Sequence, residues 1–124
     1  MQIHSQWNDR EFVEQFMDLL NLWEWRDPDD FWNRYGQRTN LEAYISLTSI
    51  LWYFEGVGVL LKNRLVNINL IDALYSDRYV RFWEKFEPIL QDLRDDFDNP
   101  NYYQNGEYLH DELKKHQKLA LAGK

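Results

Sequence analysis

The chain has 124 residues, 44% of them apolar and 28% charged, so it is of single-domain length and too hydrophobic for disorder over most of its course. Its 21 acidic and 14 basic side chains leave a net charge of −7, and no Lys/Arg stripe offsets that repulsion, which argues against nucleic acid or anionic lipid as a partner. The absence of cysteine excludes disulfides, thiolate metal sites and thiol nucleophiles. What stands out is the 17% of aromatic residues: each ring can bury on the order of 150–250 Å², enough to anchor a small helical core.

In chain order, residues 1–25 read as a first helix, capped by Ser5, Asn8 or Asp9. Its seam is Phe12, Phe16, Leu19 and Trp23, reinforced by Val13, Met17 and Leu20. The opening residues contain neither a basic n-region nor an apolar h-region, so no signal peptide is read and a cytoplasmic setting is expected. Asp27 followed by Pro28 is a helix start, because proline at the first helical position has no donor to lose. The short helix 28–35 should stop at Gly36, with Phe31, Trp32 and Tyr35 on one face.

Thr39 or Asn40 then caps the longest and most apolar segment, 40–63. Tyr44, Leu47, Leu51, Phe54, Gly58, Leu61 and Leu65 recur at spacings of three and four, and Ala43, Ile50, Val57 and Leu60 widen that stripe. A helix apolar on this scale is expected to be contacted on several sides. The stretch 43–61 approaches the length that spans a bilayer. Its charge at Glu55, together with Ser46, Thr48 and Ser49, favours a core helix, and no membrane span is expected.

A turn at 66–69 leads to a short helix, 68–75, and Ser76 or Asp77 caps a second long helix, 78–97. The seam there is Tyr79, Phe82 or Trp83, Phe86, Ile89 or Leu90, Leu93 and Phe97. Pro88 lies inside this pattern and should kink the helix near 84–87, since it removes one backbone bond and crowds the preceding turn. The run 98–101 breaks the chain. The last segment, 100–121, is thinly apolar, contains Gly106, and should fray after Lys118. No strand-period alternation or internal repeat is present. The expectation is an all-α, compact single-domain helical bundle of about four long and two short helices.

Few residues point to chemistry. Glu55 stands among Trp52, Tyr53, Phe54 and Val57, where a carboxylate is either a general acid or base in a pocket or, more commonly, a structural group paired with Arg or with Trp and Tyr donors. Gly56 and Gly58 each cost a helix about 1 kcal/mol relative to Ala. A second backbone, or a ring such as Trp83 or Trp32, packed on this turn would explain them. They are not a phosphate loop, which needs a preceding strand. Glu107 and His110 match the E-x-x-H spacing of di-iron bundles, but such sites require two of these motifs and two further carboxylates. Asp92, Asp95, Asp96 and Asp98 lack the glycine and distal glutamate of a calcium loop. No catalytic residue, metal ligand or cofactor site is assigned.

The runs FWNRYG at 31–36, FEGVGVLLKNRLVNINLIDAL at 54–74, RFWEKFEPILQDLR at 81–94 and NGEYLHDEL at 105–113 form a set. In order and spacing this set resembles a prokaryotic helical family known only as a domain of unknown function. The matching positions are Phe31, Trp32, Asn33, Phe54, Glu55, Gly56, Gly58, Leu60, Lys62, Trp83, Glu84, Lys85, Pro88 and Arg94. Asn63, and Asn105-Gly106 before Glu107, depart from its pattern. The resemblance implies a helical fold and no particular activity. Across the two long helices, Glu55 is expected to meet either Arg94 or the Trp83 indole.

Three functions remain open. The first is a non-enzymatic interaction or regulatory domain, with a protein partner or self-association through an acidic, aromatic-rich surface. The second is a small-molecule-binding or enzymatic bundle with a pocket lined by Trp52, Tyr53, Trp83 and Glu55. The third is a membrane-associated regulator. The first is preferred.

Overall fold

The structure is a computed structural model that describes residues 9–123. Among these residues it is all-α, with six helices: α1 (Asp9–Asn21), α2 (Pro28–Tyr35), α3 (Leu41–Lys62), α4 (Ile68–Tyr75), α5 (Arg78–Asp96) and α6 (Gln104–Ala122). Four are long and two are short. They group into two compact units that divide within α3, between Ile50 and Leu51.

In the first unit, α1 ends at Asn21, earlier than its apolar seam suggested, and Trp23 lies beyond it. There the Trp23 ring stacks on Tyr35, with centroids 4.0 Å apart and planes 6° from parallel. The proposed caps Ser5 and Asn8 fall outside the described residues. The start of α2 follows local chemistry: the Asp27 carboxylate accepts the Asp30 N–H at 2.8 Å, and Pro28 occupies the first turn. The helix closes at Gly36, whose N–H donates to the Trp32 carbonyl. Asn40 Oδ1 accepts the Ala43 N–H at 3.2 Å and so caps α3. Phe16, Leu19, Leu20, Phe31, Leu47 and Ile50 are buried, and Trp32 is half-buried with its ring edge-on to Phe31.

The buried Asp30 carboxylate accepts the Arg26 backbone N–H at 2.9 Å and the Arg34 Nε at 3.1 Å. The Arg26 N–H first, and then the Arg34 guanidinium, hold its pKa below the ordinary value.

The second unit holds the rest of α3 with α4, α5 and α6, and α6 packs on both α4 and α5. Its core is aromatic. Phe54, Tyr79, Phe82, Trp83 and Phe86 are each at most 1% exposed, with the Phe54 and Tyr79 rings 4.4 Å apart. Ile89, Leu90, Leu109 and Leu113 complete the packing between the long helices. The expected seam of α5 is buried as far as Leu93, and Phe97 is exposed. Helix α5 runs through Pro88 without a break. Asp77 stands at the α5 cap position without capping; its carboxylate lies 3.4 Å from Arg81 instead. Helix α6 continues to Ala122.

Helix α3 corrects one expectation. Its buried residues, Leu47, Ile50, Leu51, Phe54 and Gly58, follow the expected stripe, but only 28% of its most apolar window is buried. Leu41, Ile45, Trp52, Val59 and Leu60 are 40–67% exposed. An apolar side chain on every face leaves the sequence no polar side with which to mark the solvent. By length and composition this helix also meets the size of a membrane-crossing segment, a test that core helices pass too.

Candidate functional site

Helix α6 starts without a cap of its own. Tyr103, at its cap position, has left-handed backbone angles (φ 59°, ψ 33°) and makes no side-chain capping bond. The first N–H groups of a helix have no partner within it. Here the partner comes from α3: Glu55 Oε1 accepts the Gly106 N–H at 2.8 Å, and Oε2 accepts the Asn105 side-chain amide at 2.8 Å and its backbone N–H at 3.4 Å. A carboxylate at this end also opposes the positive pole of the helix. Glu55 is thus a helix cap supplied from fifty residues away in the chain.

Two glycines make that approach possible. A Cβ added to Gly58 would overlap the Asn105 carbonyl, so α3 and the start of α6 meet backbone to backbone. A Cβ on Gly106 would lie 3.1 Å from both the Trp83 ring and the Tyr79 hydroxyl. Tyr79 donates to the Gly106 carbonyl at 2.8 Å, so both backbone polar groups of Gly106 are held, the N–H by Glu55 and the C=O by Tyr79. Burial first, and then the charges of Glu55 and Asp111, push the Tyr79 hydroxyl well above its ordinary pKa.

The expected pairing of Glu55 with Arg94 or the Trp83 indole is therefore corrected. Arg94, 7% exposed, donates through Nε to the Tyr102 carbonyl at 2.8 Å and through Nη2 to Glu107 at 2.9 Å. The Trp83 indole donates to Glu87 at 3.1 Å. Backbone N–H groups at a helix start outcompete a distant guanidinium because the fold places them directly over α3. The sequence did not name Asn105 and Gly106 as partners; its signal was Gly58, which called for a second backbone against this turn of α3.

His110 is buried and stacks on Trp83, with ring centroids 6.2 Å apart. Its Nε2 meets Glu84 at 2.9 Å and its Nδ1 meets Asp111 at 2.9 Å. Glu84 also accepts from Lys114 at 2.7 Å. The Lys114 hydrogen bond, followed by that of His110, lowers the Glu84 pKa. Glu107 and His110 thus turn to different partners, Arg94 and Glu84, rather than converging. Among the described residues no group of three or more His, Asp or Glu side chains could hold a metal ion.

Two of the rings named for the alternative pocket around Glu55 stand in opposite environments. Trp52 is 67% exposed, whereas Trp83 is 1% exposed. The large groove of the second unit lies elsewhere. It has a volume of about 620 Å³ and runs from the α3–α4 turn to α6. Leu61, Leu65, Ile68, Leu70 and Leu119 line it, together with the charged or titratable side chains Arg64, Glu112, Lys115 and His116. Leu65, Leu70 and Leu119 are 72%, 50% and 66% exposed.

Fold and site together define an all-α protein whose most conspicuous half-buried carboxylate caps a helix, and in which three of the exposed leucines, Leu65, Leu70 and Leu119, line a groove that Glu55 does not. The chain belongs to the family described as Domain of unknown function (DUF4760), whose model matches residues 1–113. No curated protein and no solved structure matches it.

Proposed function

We propose that this chain is a non-enzymatic protein-interaction module whose second unit receives an apolar, acid-bearing helix of a partner protein. The observation that carries this reading is the groove of about 620 Å³ with Leu65, Leu70 and Leu119 half to three-quarters exposed around it. Clustered exposed apolar side chains mark interaction surfaces, and grooves of this kind take helices through anchors at i, i+4 and i+7. Arg64 lines the groove and suits an acidic residue flanking those anchors, while Lys115 is already paired with Glu112, another lining residue, at 3.0 Å. The bonds Glu55 already makes to Asn105 and Gly106 count against a catalytic role for it.

The test is selection from a library of helical peptides against the folded protein, with Leu65→Asp/Leu119→Asp as counter-target. Enrichment of amphipathic acidic peptides that bind the double variant at least about tenfold more weakly supports the reading. Peptides that bind both proteins equally overturn it. A small-molecule adduct in native mass spectrometry, lost in the double variant, would instead assign the groove to a ligand.

A further inference from the structure

Leu47, Ile50, Leu51, Phe54 and Gly58 mark the buried side of α3. On the opposite side Ile45, Trp52 and Val59, spaced seven residues apart, are 53%, 67% and 40% exposed. Ser49, Gly56 and Asn63 each follow one of them by four residues, and Asn63 continues the helical turn through its N–H bond to the Val59 carbonyl. The six form a stripe at alternating spacings of four and three, the period at which one helix follows another. Gly56 lacks the reason that Gly58 has. Beyond its own turn of helix backbone, nothing lies within 4 Å of where its Cβ would stand, whereas a Gly58 Cβ would overlap Asn105. Glycine inside a helix is unfavourable, and an open one leaves a recess on the face that carries Trp52.

We propose that this face of α3 pairs with the same face of a second copy of the chain, with the two helices antiparallel. That direction sets Ile45 opposite the partner's Asn63, Trp52 opposite the partner's Gly56 and Val59 opposite the partner's Ser49. Each layer then joins a large side chain to a small or polar one, and the two-fold axis repeats every contact. A parallel pair would set Trp52 against Trp52 and Gly56 against Gly56, overfilling one layer and leaving another empty. Charge favours the same direction. Helix α3 has Glu42 in its first turn and Lys62 in its last, so each acidic end lies beside the partner's basic end. The one charge between them, Glu55, is turned to Asn105 and Gly106. Insertion of α3 into a bilayer would break those bonds, and a net charge of −7 repels anionic lipid, so the occupant is protein. No residue of this face lines the groove, and the two readings stand independently.

The experiment is sedimentation equilibrium of the full chain, with circular dichroism to check that each variant stays helical. The mass is expected to rise with concentration from 15.3 kDa to twice that value. Trp52→Ala, and Gly56→Leu, which fills the recess, should each weaken the dimer about tenfold or more. Leu65→Asp/Leu119→Asp, in the groove, should leave it unchanged. Because the chain lacks cysteine, Ile45→Cys mixed with Asn63→Cys reports the direction of pairing. Under mild oxidation the mixture should cross-link in preference to either variant alone. A mass of 15.3 kDa at every concentration overturns the proposal. So does a dimer that survives both face variants, one that is lost in the groove variant, or preferential cross-linking of Ile45→Cys with itself. Monomers that float with phosphatidylcholine vesicles, and cease to in Trp52→Ala, overturn it in favour of a membrane surface.

Discussion

Glu55 Oε1 accepts the Gly106 N–H at 2.8 Å, and this bond joins the middle of α3 to the first turn of α6. Because Tyr103 caps nothing, the start of α6 depends on a side chain from another helix. Glu55→Ala should therefore cost about 2–3 kcal/mol, the combined scale of a lost helix cap and a lost charged acceptor. Glu55→Gln keeps one acceptor oxygen and should cost about half as much. Urea unfolding of the three proteins measures this. Equal stability of Glu55→Ala and the parent would show that water replaces the cap.

Gly56 and Gly58 should respond oppositely to alanine. Beyond its own turn of helix backbone, nothing lies within 4 Å of where a Gly56 Cβ would stand, so Gly56→Ala should stabilise by up to about 1 kcal/mol through helix propensity. At Gly58 the Cβ meets the Asn105 carbonyl, and alanine must push the two backbones apart, with an expected loss of about 2 kcal/mol or more. Thermal melts of the two single variants decide it, and a Gly58→Ala protein as stable as the parent would refute the close approach.

Arg94 is buried, whereas its partner Glu107 is 39% exposed, so the pair should behave asymmetrically. Arg94→Met strands the Tyr102 carbonyl and the Glu107 carboxylate and should cost roughly 2–4 kcal/mol. Glu107→Gln should cost less than about 1 kcal/mol, because the Tyr102 bond to Arg94 survives and solvent reaches the amide. Similar losses for the two variants in chemical denaturation would contradict this assignment.

Acid should destabilise the protein through two carboxylates whose folded pKa values lie below their ordinary ones. Lys114 and then His110 hold Glu84 below 4.5, and the Arg26 N–H and then Arg34 hold Asp30 below 3.8. A lowered folded pKa means that the unfolded chain takes up protons first. The stabilisation is thus complete above about pH 4.5 and is lost as pH falls through the lowered values. Glu84→Gln and Asp30→Asn should each flatten the acid limb of a stability–pH curve, and an unchanged limb in both would rule out these contacts as its source. At the other extreme, the raised pKa of Tyr79 predicts stability lost as pH climbs past 10.0, a loss that Tyr79→Phe removes.

Much of the fold could be read from local chemistry. Asp27-Pro28 started α2, Gly36 stopped it, and Asn40 and Asn67 capped α3 and α4, because each acts on N–H or C=O groups within four residues of itself. The structural role expected of Glu55 rested on the general need of a half-buried carboxylate for donors. Its donors could not be named, since Asn105 and Gly106 lie fifty residues away and Gly106 offers only backbone. Trp52 lies off the stripe of Leu47, Leu51 and Phe54, and its exposure follows from that spacing.

The amino-acid sequence by itself determined the helical class, the order of the six described elements and the caps of α2, α3 and α4, since period, propensity and capping act over a few residues. Only the tertiary structure decided that Glu55 caps α6, that Arg94 takes Glu107 instead, and that the apolar excess of α3 is left largely exposed. Those outcomes depend on which backbones come within hydrogen-bonding distance across the fold. Gly58 and Gly106 set that distance by having no side chain.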